Sequence, residues 1–229
     1  MRIELEVPTS LSDITLGQYQ KYMKILDQNG GETNDFVDKK LIEIFCDVSL
    51  EQVDKIPIRE LEKVLEVLQE AFNEKPNLIR HFKLLDVEMG FIPKLDDISL
   101  GEYVDLENTM NDWEKMHKAM AVLYRPVNFK KGDKYTIAPY EPSEDMSDLM
   151  KQMPMDAVIS STLFFYDLGK ELLQVTLNYT QNKVKEGKIT LQQKERLLLD
   201  GDGISRYMQL LEETYLSSMP SLKRDYSHV

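Results

Sequence analysis

Leu11–Tyr19 reads LSDITLGQY, and Leu95–Tyr103 reads LDDISLGEY. Six of the nine positions are identical, and Thr/Ser and Gln/Glu are close exchanges at two of the others. Each copy predicts the start of a helix. Thr15 and Ser99 stand at the N-cap, where a side-chain oxygen accepts from an otherwise unpaired backbone N–H. Gln18 and Glu102, three residues on, complete a reciprocal capping box. Ile14 and Ile98, just before the caps, are placed to close on Tyr19 and Tyr103 as hydrophobic staples. A signature spent on starting helices is architectural, so it bears on the fold before it bears on function.

The flanks of the two copies keep the same order. Residues Arg2–Val7 alternate like a half-buried strand and Pro8 ends it. Ahead of the second copy, Ile79–Leu85 and Met89–Ile92 predict a hairpin turning at Asp86–Glu88, with Gly90 as a bulge, and Pro93 follows. Downstream of the first copy, a helix from about Asp35 to Asp47 is expected to carry Phe36, Lys40, Ile44 and Val48 in one row, with Leu41 and Phe45 beside it. Its counterpart is a helix from about Asn111 to Tyr124 carrying Trp113, Met116, Met120 and Leu123. Ser49 with Gln52 is a further capping box. IPIRELEKVLEV, with Leu61, Val64, Leu65, Leu68 and Phe72 on one face, predicts an amphipathic helix opened by Pro57. MPMDAVISSTLFF lies over it, with Pro154 against Pro57.

The expected fold is therefore mainly α. Two diverged copies of a strand–helix–helix–long-helix unit form one pseudo-symmetric domain, with short β-hairpins and added C-terminal helices. The units span 1–76 and 77–186, and 187–229 holds the C-terminal helices and tail. Chance recurrence of a short capping signature is the alternative to duplication. The second unit carries an insertion, Val127–Gln152, with a hairpin turning at Lys131-Gly132-Asp133 and the acidic stretch EPSEDMSD. Long insertions are where partner-binding surfaces tend to lie.

Composition narrows the function classes. The chain has 229 residues, 40 acidic against 28 basic, and a net charge of −12. Nucleic-acid affinity rests on lysines and arginines neutralising phosphates, so neither nucleic acid nor an anionic membrane is expected as the main partner. The most apolar run, Ala157–Tyr166, is half the ~20 residues a bilayer span requires. No signal peptide is visible at the N-terminus. The single cysteine, Cys46, lies in an apolar run and fits a buried thiol in a reducing compartment.

No reaction centre emerges. Glu114 and His117 give one Glu-x-x-His half-motif, where a di-iron bundle needs two, plus two further glutamates. DGDG at 200–203 offers Asp200 and Asp202 as calcium ligands, but the twelfth loop position is Leu211 and the sixth-position glycine is missing. No phosphate loop, nucleophile elbow or C-x-x-C is present. No catalytic residue, metal or cofactor is expected; a metal-dependent enzyme at Glu114 and His117 is the minor alternative. The candidate partner-contact residues are Tyr140, Met146 and Met150 at the insertion, and Tyr207, Leu211 and Tyr215 on the apolar stripe of a helix expected from Ile204 to Met219.

LGEYVDLE, a following tryptophan and histidine, AVLYRPV, a hairpin with an acidic loop, and MPMDAVISSTLFFY together resemble uncharacterised proteins of tailed bacteriophages of Bacteroidetes, including the crAss-like group. The resemblance covers about residues 85–175, with a weaker match at DGDGISRYMQLL. It implies a non-enzymatic virion-associated protein, made in the host cytoplasm and placed at the portal–tail region or carried inside as cargo. Its partners would be other phage structural proteins or itself. A non-virion assembly chaperone or adaptor is the alternative.

Overall fold

A computed structural model of the protein describes residues 5–168 and 171. The first sequence copy forms a single 3-10 turn, Leu11–Asp13, and helix α1, Leu16–Gln28. Helices α2 (Asp35–Phe45), α3 (Leu50–Val53) and α4 (Ile58–Phe72) follow. A hairpin of β1 (His81–Leu84) and β2 (Val87–Phe91) leads to the second copy, again a 3-10 turn, Leu95–Asp97, and then α5, Leu100–Thr109. After a turn at Trp113–Lys115, α6 (Met116–Leu123) runs directly into β3 (Tyr124–Lys131), which pairs with β4 (Lys134–Ile137). Helix α7 (Glu144–Leu149), a 3-10 turn at Met150–Gln152, and α8 (155–168) complete the described part.

The mainly α expectation holds in part. The two hairpins are not separate decorations: β2 pairs with β3 at Gly90↔Arg125 and Phe91↔Tyr124, giving one antiparallel sheet in the order β1-β2-β3-β4. The protein is thus mixed, with eight α-helices and this four-stranded sheet among the described residues. Residues 5–9 form no strand, so the N-terminal strand expected over Arg2–Val7 is absent from its described part. The chain divides into two compact units between Ser160 and Ser161, inside α8. All the described features below belong to the first unit. The expected C-terminal helices fall outside the described residues.

The core of the first unit is aromatic. Tyr19 of α1 lies 4.9 Å from Trp113 and 6.1 Å from Phe72 between ring centroids, and Phe45 is 5.4 Å from Phe72 and 5.6 Å from Tyr22. Helix α4 buries Leu65, Leu68, Ala71 and Phe72, the face its periodicity predicts. Helix α2 instead buries Val37, Leu41, Ile42 and Phe45. Phe36, which the sequence sets in one row with Lys40, Ile44 and Val48, is 51% exposed, with the Lys40 ammonium 6.0 Å above its ring. The row through 37, 41 and 45 outcompetes the row through 36, 40 and 44 because the latter carries a lysine.

Gly90 is not a bulge. It sits in register opposite both His81 and Arg125. A Cβ there would stand 2.8 Å from Val127 Cγ2 and 3.1 Å from both Ile137 Cγ2 and Tyr135 Cε2. Side chains of β3 and β4 close over the strand at this point, and the Tyr135 hydroxyl donates to the Phe91 carbonyl at 2.7 Å. Glycine is required for the close approach rather than for backbone freedom. Gly90→Ala is therefore expected to cost about 1–3 kcal/mol through overpacking, measurable as a lowered urea midpoint with an unchanged slope.

Candidate docking surface

The two nine-residue stretches fold alike locally and lie in opposite surroundings. Thr15 Oγ1 accepts from Gln18 N at 3.2 Å while Gln18 Oε1 accepts from Thr15 N at 2.9 Å. Ser99 Oγ accepts from Glu102 N at 3.3 Å while Glu102 Oε2 accepts from Ser99 N at 2.7 Å. Both capping boxes form as the sequence predicts, and so does that of Ser49 and Gln52.

The Gln/Glu exchange between the two copies has a chemical reason. Beyond its cap, Gln18 uses Nε2 to donate to the Ile44 carbonyl at 3.0 Å, which requires an amide. Glu102 uses Oε1 to meet the Arg125 guanidinium at 2.8 Å, which requires a carboxylate. That ion pair is buried, with side-chain exposures of 11% for Arg125 and 8% for Glu102. Burial alone would raise the Glu102 pKa, but the Ser99 hydrogen bonds and the Arg125 charge outweigh it and hold the carboxyl below its ordinary value. The Tyr140 ring lies 5.9 Å from the same guanidinium, and its hydroxyl donates to Asp105 Oδ2 at 2.6 Å.

The apolar positions diverge more sharply. Leu16 and Tyr19 are 0% and 1% exposed; their counterparts Leu100 and Tyr103 are 79% and 57% exposed. Val104, one residue on, is also exposed. Leu100, Tyr103 and Val104 stand at the i, i+3, i+4 spacing of one helix face. Helix α5 therefore presents an apolar stripe outward while Leu106, on the inner face, is buried. Few surface positions justify three adjacent large apolar side chains other than a contact site.

What covers the first copy is a distant segment, Met153-Pro154-Met155. Thr15 and Pro154 form an antiparallel bridge. Leu16 N donates to the Met153 carbonyl at 2.8 Å, and Met155 N donates to the Ile14 carbonyl at 2.9 Å. A Cβ on Gly17 would lie 3.0 Å from the Lys151 carbonyl, so glycine lets that backbone come close. At Gly101, its counterpart, a Cβ would meet nothing within 4 Å.

The residues singled out as partner contacts are placed unevenly. Tyr140 and Met146 are half-buried beside a cleft of about 270 Å³ that Asp105, Lys118 and Ser143 also line. Met150 is fully buried, a correction to its expected role: the 3-10 turn that carries it packs against α1 and α6, and the thioether fills core space. Tyr207, Leu211 and Tyr215 lie outside the described residues. Leu100 and Tyr103 were missed because their stretch carries the same apolar pattern as its buried twin; Val104, which has Gln20 as its counterpart, was the one local sign of an outward apolar face.

His117 is buried, and Gln20 Nε2 lies 3.0 Å from its Nδ1 and 2.6 Å from the Trp113 carbonyl. With Gln20 as the donor, His117 is neutral and carries its proton on Nε2. Burial first, then the Lys151 charge, pushes its pKa below the ordinary value. The unfolded imidazole takes up a proton near ~6.5 while the folded one resists, so stability falls as pH drops through that value. The melting-temperature gap between His117→Gln and the parent is expected to narrow between about pH 7.5 and 5; a constant gap would contradict this. Burial likewise pushes the Cys46 thiol up to about 11, which keeps it protonated at neutral pH.

Among the described residues no group of three or more His, Cys, Asp or Glu side chains is arranged to hold a metal ion, and no helix is long and apolar enough to cross a membrane. Compared with known proteins, the chain matches no family model, no curated protein and no solved structure.

Proposed function

We propose that this protein is a non-catalytic component of a tailed bacteriophage particle, at the portal–tail region or as internal cargo, and acts through protein–protein contacts. The observation that supports a docking role is the outward apolar stripe Leu100, Tyr103 and Val104, whose twin positions at Leu16 and Tyr19 are buried. The phage assignment rests on the sequence resemblance over about residues 85–175. The repeated order of 3-10 turn, capped helix, second helix and proline-started helix supports a duplicated origin for the two halves. Mass spectrometry of purified particles tests the function. Stoichiometric recovery of the protein is expected. Its absence, with a stable head- or tail-protein complex in lysates, would instead favour an assembly chaperone or adaptor.

A further inference from the structure

The chain contains a second segment built like the one that covers Leu16. Met153-Pro154-Met155 follows a 3-10 turn, with Met153 N donating to the Met150 carbonyl at 3.0 Å, and helix α8 begins after the proline. Ile56-Pro57-Ile58 follows helix α3, with Ile56 N donating to the Val53 carbonyl at 3.0 Å, and α4 begins after the proline. The backbone at Pro57 is extended, with φ −58° and ψ 139°. The methionine segment is used: Met153 and Met155 are fully buried. The isoleucine segment is far less covered: Ile56 is half-buried beside a cleft that Leu5 and Val7 also line, while Pro57 is exposed and Ile58 is 59% exposed.

Among the described residues, one copy of the chain therefore displays both halves of a contact that it makes internally once. Leu100 and Ile58 occupy first helical positions, whose N–H groups have no acceptor within their own helix. These are the positions at which Leu16 and Met155 donate across the internal bridge. We infer that Ile56-Pro57-Ile58 of one molecule docks on Ile98–Leu100 of a second copy, as Met153-Pro154-Met155 docks on Ile14–Leu16 within the chain.

Charge fixes the choice of occupant. The internal bridge sets Thr15 opposite Pro154, which places Asp13 opposite Asp156. These are like charges; the pKa of Asp156 is raised, by burial first and by Glu74 and Asp13 as well, while hydrogen bonds from Thr9 and Ser10 hold that of Asp13 below its ordinary value. Transferred to the second site, the same register sets Ser99 opposite Pro57 and therefore Asp97 opposite Arg59. Both are exposed, and their charges are opposite. Lys55 on the other flank is held by Glu51 at 2.7 Å and Glu102 by Arg125 at 2.8 Å, so the Arg59–Asp97 pair is the charge contact that the register adds. At this one register position the isoleucine segment thus brings opposite charges together where the methionine segment brings like ones.

Donor and acceptor are different surfaces, so the contact is head-to-tail and propagates into chains or rings rather than stopping at a dimer. The inference stands apart from the phage reading, since it concerns self-association of the purified protein.

Two substitutions test it without disturbing the fold. Gly101→Gln fills the open space at the acceptor and favours the helix. Ile58→Asp removes an exposed donor side chain. Sedimentation of the parent protein should show concentration-dependent oligomers, while each variant alone stays monomeric with an unchanged melting curve. Ile58→Asp keeps an intact acceptor and Gly101→Gln an intact donor, so mixing the two should restore a one-to-one dimer that grows no further. A parent protein that stays monomeric up to its solubility limit would overturn the inference. So would an oligomer that persists in both variants, or variants that fail to combine.

Discussion

Glu102→Ala is expected to lower the unfolding free energy by about 3–5 kcal/mol, because it leaves the Arg125 guanidinium buried without its counter-charge. The penalty comes from the stranded cation rather than from the lost attraction. Arg125 is 11% exposed and its Nε already has no hydrogen-bond partner, so no spare acceptor stands ready to replace the carboxylate. Loss of the reciprocal cap to Ser99 adds to the cost. The control is Glu102→Met combined with Arg125→Met, which removes both charges and keeps the volume filled. Replacing both members of a buried pair is often neutral or stabilising, so the double variant should recover most of the loss. Equal destabilisation of single and double variants in urea melts would show that volume, not charge, dominates at this site.

Leu65→Asp should be worse, at least about 4 kcal/mol, which is a large share of the ~5–15 kcal/mol that holds a typical domain together. Leu65 is 4% exposed on the inner face of α4, beside Leu68 and Phe72. A carboxylate there must shed its hydration with nothing on that face to pair with. Ile58→Asp, the same chemical change seven residues earlier on the same helix, falls on an exposed position and should shift stability by no more than about 0.5 kcal/mol. Similar melting temperatures for both would contradict the assignment of the α4 inner face.

What the sequence showed of this fold was its local chemistry. The boxes at Thr15, Ser49 and Ser99 formed as expected because each involves only residues three apart. The α4 stripe and the hairpin turn at Gly132 were readable for the same reason. The first hairpin was legible too, though it turns at Leu85-Asp86, with Leu85 at φ +53°, rather than at Asp86–Glu88. What was not legible depends on partners far along the chain. Gly90 read as a bulge because the side chains that crowd it come from Val127, Tyr135 and Ile137. The joining of two hairpins into one sheet depends on β2 meeting β3, more than thirty residues downstream. Most telling are Leu16 and Leu100, identical in local pattern, one sealed by Met153–Met155 and the other open. No window of nine residues contains that difference.

The exchange of Gln18 for Glu102 also makes the two helix starts unequal in acid. An amide gains no proton over the range in which the fold survives, so the hold of Gln18 on Thr15 and Ile44 does not titrate. The Glu102 carboxyl, held below its ordinary value, contributes stability that is complete above the unfolded value of ~4.3 and lost as pH falls through the folded one. Acidification should therefore loosen α5 ahead of α1, giving amide-exchange protection that fades first at one end of two matched helices.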